Sequence, residues 1–402
     1  MIVECIQWHG WLQNLSAVDP SPLLILLTAM LWGALLRGLG YAEIHYRWRG
    51  VPSRLYRDHP EIVLDMPFRA DPGQPVPLFL FVKDAHQYPV ELVTVRIQII
   101  SPTTGQTTHA EYPLNKTITE KFFTHTMQIS PYHFRSGGEY RVVAELHYRC
   151  QGEVWRIYQD NYAAISHEPF TVYISDHPVP SLPNLYWGDL HVHSNFTDDA
   201  IEFGASLRET ILCAMSLGLQ FLAITDHSYD LDDAEDDYLR NDDRLPKWRR
   251  FLQECALLND EFSNFVLLPG EEVSAGNRRG HNVHCLVVGN RTFYPGQGDG
   301  GENGLLNRPT LSLKKLFEKI HAAGEPVVIA AAHPLDKPPL SHRLLLNRGY
   351  WREMDLIHPH LHYWQILNGR INPAFYEGLE AWKVALLRGR RVGILAGTDA
   401  HG

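Results

Sequence analysis

Two histidines one residue apart, His191 and His193, lie in the segment Tyr-Trp-Gly-Asp-Leu-His-Val-His-Ser-Asn that spans residues 186–195. On a β-strand, residues i and i+2 point to the same face, so both imidazoles would be directed at one point. Neutral imidazole is the commonest protein ligand for zinc-like metals. The pair therefore predicts the start of a metal site, unless the spacing is a chance event in a chain with 22 histidines.

Other side chains that bind metals follow, or lie within, short apolar segments that are predicted as strands. They are Asp198 or Asp199, His227, Glu272, His281 or His284, His333, Asp399 and His401. In α/β barrels, chemistry is located where the strands end in loops, so this regular placement favours one shared site. The set is too large for one tetrahedral metal and predicts a centre of two or three metals. Glu272 suits a bridging position, because a carboxylate can bind through both of its oxygens.

The second half of the chain alternates predicted strands with predicted helices. Helical patterns cover residues 206–217, 246–262, 313–323 and 373–387. The apolar segments between them predict strands at 185–190, 220–225, 265–268, 283–288, 326–332, 363–367 and 392–396. About seven strands with intervening helices are typical of a parallel α/β barrel, which we expect over residues 185–402. Because a barrel strand is normally followed by a helix, the end of the sequence at Gly402 predicts a barrel truncated at its C-terminus.

The first half of the chain has the alternating pattern of half-buried strands. The clearest segments are residues 93–100, 139–148, 154–158 and 170–174, separated by turn residues. This spacing predicts an antiparallel, immunoglobulin-like β-sandwich over residues 51–175. Residues 176–184 are rich in proline and predict a linker between the two domains.

Residues 1–50 contain an apolar run at positions 22–36, which is shorter than the roughly 20 residues of a membrane span. No lysine or arginine precedes it, unlike in a secretory signal. We therefore favour a buried helix or an over-long start of the sequence, with an atypical membrane anchor as the alternative. The five scattered cysteines lack a Cys-x-x-Cys pair and fit a reducing compartment, which favours a cytoplasmic location over an anchored or exported one. The net charge of -10 argues against binding to nucleic acid.

Five motifs fall in a recognisable order: Gly-Asp-Leu-His-Val-His-Ser, Ile-Thr-Asp-His, Pro-Gly-Glu-Glu-Val-Ser, Ala-His-Pro and Gly-Thr-Asp-Ala-His-Gly. With these motifs, residues 185–402 resemble the PHP (polymerase and histidinol phosphatase) family of metal-dependent phosphoesterases. The β-rich half in front resembles a PHP subgroup with an N-terminal sandwich. The resemblance implies a distorted (β/α)7 barrel, a trinuclear metal centre and the hydrolysis of phosphate esters.

The resemblance also implies roles for individual residues. It gives metal-ligand roles to His191, His193, His227, Glu272, His333, Asp399 and His401, of which His191, His193, Glu272, Asp399 and His401 would be catalytic. Between neighbouring candidates it favours Glu272 over Glu271 and Asp198 over Asp199. His284 is preferred to His281 because it lies within a predicted strand. Three arginines near strand ends are candidates for holding a substrate phosphate, namely Arg278, Arg279 and Arg370.

The expected function is that of a metal-dependent hydrolase, a phosphoesterase that uses a metal-activated hydroxide and two or three Zn, Mn or Fe ions. Its expected substrate is a small-molecule phosphate ester. One alternative is an amidohydrolase-like or PHP-type hydrolase of carboxylic esters or carbamates, and another is a non-catalytic metal-binding module. The acidic stretch at residues 226–243 predicts a solvated loop.

Overall fold

The computed structural model describes residues 59–101, 103–162, 167–197, 204–235, 237–298 and 308–401. The apolar segment at 22–36 and the two candidate ligands Asp198 and Asp199 lie outside the described residues. Within the described part, no helix has the length and apolar character needed to cross a membrane.

Nine strands in the first half form two sheets. They are β1 (Glu61–Asp65), β2 (Arg69–Ala70), β3 (Val76–Lys83), β4 (Val90–Ile100), β5 (Thr107–Ile118), β6 (Phe122–Ile129), β7 (Gly138–Cys150), β8 (Glu153–Tyr158) and β9 (Phe170–Ile174). One sheet has the order β1-β3-β6, and the other has the order β2-β9-β7-β4-β5 with β8 paired to β7. The four segments with the strongest alternation in the sequence lie in β4, β7, β8 and β9, so these strand predictions are confirmed.

Strand β3 is buried on both of its faces. Leu78, Leu80 and Val82 point into the core that is shared by the strands of the first half. The opposite face carries Phe79 and Phe81, and β3 also contacts the first helix of the second half, α1 (Leu207–Ser216). Side chains alternate between the two faces of a strand, so a strand covered on both sides has no exposed positions. The strand therefore joins the β-rich half to the part of the chain that carries the histidines.

The second half is built on a seven-stranded sheet with the order β10-β11-β14-β15-β16-β17-β18. Its strands are β10 (Gly188–Val192), β11 (Phe221–Ile224), β14 (Val266–Gly276), β15 (Asn282–Val288), β16 (Val328–Ala331), β17 (Tyr363–Asn368) and β18 (Gly393–Gly397). The two strands between β11 and β14 in the sequence, β12 (Asp233–Ala234) and β13 (Asp237–Asn241), form a separate antiparallel pair. A parallel bridge joins Val192, the last residue of β10, to Ala400, which lies three residues after the end of β18. The sheet is therefore nearly closed, like a β-barrel.

The predicted fold class, a distorted (β/α)7 barrel preceded in the sequence by an immunoglobulin-like sandwich, is wrong. The structure is rich in β-strands and has few helices, and strand β15 runs antiparallel to both β14 and β16. The link between β14 and β15, residues 277–281, is far too short for the crossover helix that joins parallel strands. Helix α1 is joined by only six further α-helices in the described part: α2 (Ser228–Leu231), α3 (Pro246–Glu261), α4 (Leu313–Ala323), α5 (Leu340–Leu345), α6 (Glu353–Leu356) and α7 (Pro373–Leu387).

The four predicted helices are present as α1, α3, α4 and α7. Helix α4 shows why the sequence specifies them. Ser312 caps its N-terminus by accepting a hydrogen bond from the amide of Lys315, and Gly324 ends it in the left-handed conformation. Its apolar residues recur at helical spacing and pack on one side of the sheet.

Asp189 connects the first and last strands of the nearly closed sheet. Its buried carboxylate accepts hydrogen bonds from the amide of His191 at 2.9 Å and from the amide of Thr398 at 3.1 Å. Burial raises the pKa of Asp189, and the hydrogen bonds from His191 and Thr398 act in the opposite direction. The carboxylate thus holds β10 against the segment that follows β18, where the candidate ligands lie.

We expect Asp189→Ala to lower the free energy of unfolding by about 2–4 kcal/mol, because hydrogen bonds to charged groups contribute about 1.5–3 kcal/mol each. Urea denaturation measures the loss. Asp189→Asn keeps one acceptor oxygen and should lose less than the alanine variant. Equal stability of the wild-type and alanine proteins would show that this connection does not hold the sheet closed.

Candidate metal centre

Six strands and their following loops place their metal-ligand side chains in one region of the sheet. His191 lies in β10, and His193 comes directly after that strand. In the hairpin of β14 and β15, Ser274 pairs with His284 and Glu272 pairs with Leu286, so Glu272 and His284 are diagonal neighbours on the same face. Four further candidates come just after β11, β16 and β18, and these are His227, His333 and the pair Asp399 and His401.

Four side chains, those of His191, His193, Glu272 and Asp399, form the tightest group. The Nε2 atom of His191 lies 3.3 Å from Glu272 Oε2 and 3.1 Å from Asp399 Oδ1. The Nε2 atom of His193 lies 3.4 Å and 3.2 Å from the same two oxygens, and the two Nε2 atoms are 3.3 Å apart. Two imidazoles and two carboxylates thus face one another across a small, buried space.

These distances fit ligands arranged around one cation. A tetrahedral site with bonds of about 2.0 Å has ligand atoms about 3.3 Å apart, since the edge of a tetrahedron is about 1.6 times the distance from its centre to a corner. Within the described part, Glu272 Oε2 has no hydrogen bond of acceptable geometry, although three imidazole nitrogens lie within 3.4 Å of it. The group could therefore bind a metal ion.

Two further groups share residues with the first. One consists of Glu272, His227 and His284, with His227 Nδ1 3.1 Å from Oε2 and His284 Nδ1 2.7 Å from Oε1. The other consists of His193, His227 and His401, in which the rings of His193 and His401 stack with their centroids 4.0 Å apart. His333 approaches the same glutamate, with its Nε2 atom 3.2 Å from Oε1. Glu272 is therefore the carboxylate around which five imidazoles gather.

The electrostatics of the cluster follow from its burial and its mixed charges. Burial by itself would raise the pKa of Glu272, but His284 and His191 outweigh it and hold that pKa well below the usual range. Burial would lower the pKa of His193, but the carboxylates of Asp399 and Glu272 raise it well above the usual range. Burial together with the neighbouring His193 lowers the pKa of His227 well below its usual value, so this imidazole stays neutral. Cations are thus favoured between the carboxylates, and a metal would compete with protons for those positions.

Gln365 in β17 orients the imidazole of His191 and was not predicted from the sequence. Its Oε1 atom accepts a hydrogen bond from His191 Nδ1 at 2.8 Å and lies 3.4 Å from the backbone amide of His333. Its Nε2 atom donates to Asn368, whose side chain donates to Asp399 Oδ2 at 3.0 Å. With the proton on Nδ1, His191 directs the lone pair of Nε2 into the space between Glu272 and Asp399, where a cation would bind it. The sequence signal that could have identified Gln365 is a polar side chain within the apolar segment Tyr-Trp-Gln-Ile-Leu.

We expect Gln365→Met to weaken metal binding by about 10- to 100-fold, the usual effect of removing a group that orients a metal ligand. A competition titration with a coloured chelator measures the change. Asn368→Ala disturbs only the branch to Asp399 and should weaken binding less. Unchanged metal affinity in the methionine variant would show that Gln365 does not orient the site.

Asp226 and Arg348 are also part of the site, and neither was predicted as a functional residue. Asp226 accepts hydrogen bonds from the amide and hydroxyl of Ser194, both at 2.6 Å, and from the hydroxyl of Thr197 at 2.9 Å. It thereby fixes the loop that follows His193. The guanidinium of Arg348 lies 3.1 Å from His284 Nδ1. For this arginine, no local sequence signal exists.

Part of the acidic stretch is buried, so the prediction of a solvated loop over residues 226–243 is wrong for that part. Asp230, Asp232 and Asp233 are each less than a tenth exposed, in or next to helix α2 and strand β12. Glu235 and Asp243 are exposed, as expected for a solvated loop. The chain therefore turns from the site towards solvent within this stretch.

Several other candidates lie outside the cluster. His281 contacts Asn347 through a hydrogen bond of 2.7 Å and belongs to none of the three groups, whereas His284 belongs to one. The amides of Arg278 and Arg279 bond to Asp355 and Asn277, respectively, in the turn between β14 and β15. Arg370 is exposed, two residues after β17. Asp198 and Asp199 lie outside the described residues.

No family model matches this chain. A stretch of 86 residues, 21% of the chain, is 37% identical to the DNA polymerase/3'-5' exonuclease PolX of Bacillus subtilis and covers 13% of that protein. This partial likeness is compatible with the PHP resemblance. Together with the groups that could bind a metal, it fits a metal-dependent hydrolase in the broad sense.

Likenesses to solved structures are remote. A late embryogenesis abundant (LEA) protein has a TM-score of 0.22 and 11% identity, over 40% of this chain and 91% of that one. A CARDB domain from Pyrococcus furiosus has a TM-score of 0.17 and 14% identity, over 31% of this chain and 98% of that one. TM-scores this low carry no inference about fold or function.

Proposed function

We propose that this protein is a metal-dependent phosphoesterase of the PHP type, with two or three divalent metals around Glu272. The observation that carries the proposal is the set of ligand-to-ligand distances of 3.1–3.4 Å among His191, His193, Glu272 and Asp399. That group shares Glu272 with one further group and His193 with another, and those two groups share His227, which supports more than one metal. Mixed imidazole and carboxylate ligands suit Zn, Mn or Fe.

The residues of the chain hold and orient the reacting groups. Divalent metals in such a centre lower the pKa of water and offset negative charge on phosphoryl oxygens. Glu272, Asp399 and the imidazoles of the three metal-ligand groups, to which His333 does not belong, would hold these metals, and Gln365 fixes the ring of His191. Of the imidazoles that contact Glu272, His333 is the most accessible, with 14% of its side chain exposed. We assign to it the transfer of a proton to the leaving group.

The substrate that we propose is a small-molecule phosphate ester. The name of PolX refers to DNA, but the net charge of this chain is -10, which disfavours a long polyanion. A single-stranded oligonucleotide therefore belongs in the substrate panel as a competitor to the small esters.

The test combines elemental analysis of the purified chain with a panel of chromogenic esters. It compares p-nitrophenyl phosphate, bis-p-nitrophenyl phosphate, p-nitrophenyl acetate and a p-nitrophenyl carbamate, each with and without added Zn, Mn or Fe. We expect metal-dependent turnover of at least one phosphate ester. Turnover of the carbon-centred esters alone would instead support the carboxylic ester or carbamate hydrolase. Bound metal without turnover of any ester would support a metal-binding module and contradict the proposed function.

A further inference from the structure

A mostly apolar cavity of about 250 Å³ lies between the β-rich half and the part of the chain that carries the metal-ligand candidates. One wall consists of two cross-strand pairs of β1 and β3, in which Val63 is opposite Phe81 and Asp65 is opposite Phe79. Alternate positions of a strand share a face, so these four side chains lie on the face that points away from the core of the first half. The two phenylalanine rings, with centroids 6.1 Å apart, make this wall aromatic.

The other walls come from helix α1 and from the place where the second sheet closes. Glu209 and Cys213 both line the cavity, because residues four apart lie on the same side of a helix. Val192 and Ala400, which are joined by the parallel bridge, line it from the second sheet. His193 lines it as well, so the cavity lies beside the candidate metal centre.

Three carboxylates line this cavity, those of Asp65, Asp160 and Glu209. Asp160 and Glu209 are less than a tenth exposed, whereas Asp65 is exposed. Within the described residues, no lysine or arginine forms an ion pair with any of the three, and Asp160 has the imidazole of His167 at 3.5 Å. Carboxylates are seldom buried without a compensating positive charge. The cavity therefore carries negative charge that a cationic ligand would offset.

The walls of the cavity favour an organic cation over a metal ion. The three carboxylates come from β1, from the segment after β8 and from α1, and in the described part of the chain they belong to none of the groups that could hold a metal. Ammonium groups are attracted to the faces of aromatic rings, which Phe79 and Phe81 supply. An apolar cavity of about 150 Å³ can bind benzene, so this larger one has room for an aromatic ring with a short side chain.

We propose that this cavity binds a small organic cation with an apolar body, at a site separate from the metal centre. The apolar body contacts Phe79 and Phe81, and the ammonium group lies near Asp160 and Glu209. The exposed Asp65 attracts the cation to the opening of the cavity. The proposal goes beyond the hydrolase function proposed above and does not depend on it.

The experiment is isothermal titration calorimetry of the full chain at pH 7 with three probes that share a phenylethyl group. Phenethylammonium is positive, 2-phenylethanol is neutral and 3-phenylpropanoate is negative. We expect phenethylammonium to bind about 10- to 100-fold more tightly than 2-phenylethanol, the gain from one hydrogen bond between charged groups. The negative probe should bind most weakly. Equal affinities for the three probes, or no binding of phenethylammonium, would overturn the proposal.

Three variants test whether the cation binds in this cavity. Cys213→Phe fills the space and should abolish binding of both phenethylammonium and 2-phenylethanol. Glu209→Gln removes only a charge and should weaken the cation by about 10-fold, with the affinity for 2-phenylethanol unchanged. Glu61→Gln is the control, because Glu61 is a carboxylate in the same strand as Asp65 that does not line the cavity.

Circular dichroism checks that each variant folds, and if Cys213→Phe does not fold, Glu209→Gln decides. Equal weakening of phenethylammonium binding by Glu209→Gln and by Glu61→Gln would contradict binding in the cavity. Unchanged affinity in Glu209→Gln would contradict it as well.

Titration of chelator-treated protein separates this site from the metal centre. We expect the same Kd for phenethylammonium with and without metal, and no competition with p-nitrophenyl phosphate. Binding that requires metal, or that competes with this ester, would overturn the proposal of a separate site. Phenethylammonium binding in a chain that hydrolyses no ester would support the cation site and contradict the proposed function. The two proposals can therefore fail separately.

Discussion

Replacing Glu272 with glutamine is expected to remove most of the bound metal and nearly all hydrolysis. Both oxygens of Glu272 face imidazoles, three at Oε2 and two at Oε1. Removing one charge from a buried, paired cluster typically costs about 3–5 kcal/mol, which corresponds to a loss of roughly 150- to 5,000-fold in metal affinity. Elemental analysis after gel filtration and the rate of phosphate-ester hydrolysis measure the two losses.

Glu271→Gln is the matched control, because Glu271 is the adjacent and equally buried glutamate. It accepts hydrogen bonds from Ser228, Asn290 and the amide of Tyr294 and belongs to none of the three metal-ligand groups. Burial raises its pKa to about 8, against the effect of those hydrogen bonds. At pH 7 this side chain is therefore mostly uncharged, and glutamine changes it little. Equal metal loss in both variants would mean that Glu272 has no special role.

Removal of the metals by a chelator is expected to abolish hydrolysis and to lower the thermal midpoint. A metal whose free concentration is about 100 times its Kd stabilises the folded state by about 2.7 kcal/mol. For a chain of 402 residues, that loss corresponds to a fall of roughly 3 °C, because the entropy of unfolding is about 2.1 cal/mol/K per residue, and scanning calorimetry measures it. Addition of Zn, Mn or Fe to the stripped protein should restore both properties.

The same treatment of the Glu272→Gln variant separates the centre from other metal sites. Because this variant should hold little metal, the chelator should change its thermal midpoint much less than that of the wild-type chain. Full activity in wild-type protein that elemental analysis shows to be free of metal would refute metal dependence.

The positions of the candidate ligands could be predicted because their signals are local. The spacing of His191 and His193 places both rings on one face of a strand, and His227, His333 and Asp399 each follow a short apolar segment. These positions follow from two local properties of a strand, the alternation of its side chains between two faces and the residue at which it ends. The structure brings these side chains together, although the predicted barrel type is wrong.

The hairpin of β14 and β15 could not be predicted from local signals. Pro269 and Gly270 indicate the end of the predicted strand 265–268, yet β14 continues to Gly276 because it pairs with β11 on one side and with β15 on the other. Glycine is needed at position 270, where a Cβ atom would lie 2.9 Å from the carbonyl oxygen of Val287. Pairing with β11 and β15 thus outweighs the turn preference of Pro269 and Gly270, and Glu272 lies within a strand rather than after one.

Gln365 and Arg348 depend on contacts between residues far apart in the chain. Gln365 is 174 residues from His191, and Arg348 is 64 residues from His284. Partners at such separations cannot be identified from composition or periodicity within one sequence. The exposed arginines near strand ends, by contrast, are obvious in the sequence, but Arg278 and Arg279 are held in the turn between β14 and β15.

The most direct test of the metal centre is anomalous X-ray diffraction at the absorption edge of the metal that elemental analysis identifies. We predict one anomalous peak among His191, His193, Glu272 and Asp399, and a second among Glu272, His227 and His284. A third metal would give a peak beside His193, His227 and His401. A chain that contains metal but shows its peaks elsewhere, or shows none in contact with Glu272, would contradict the account.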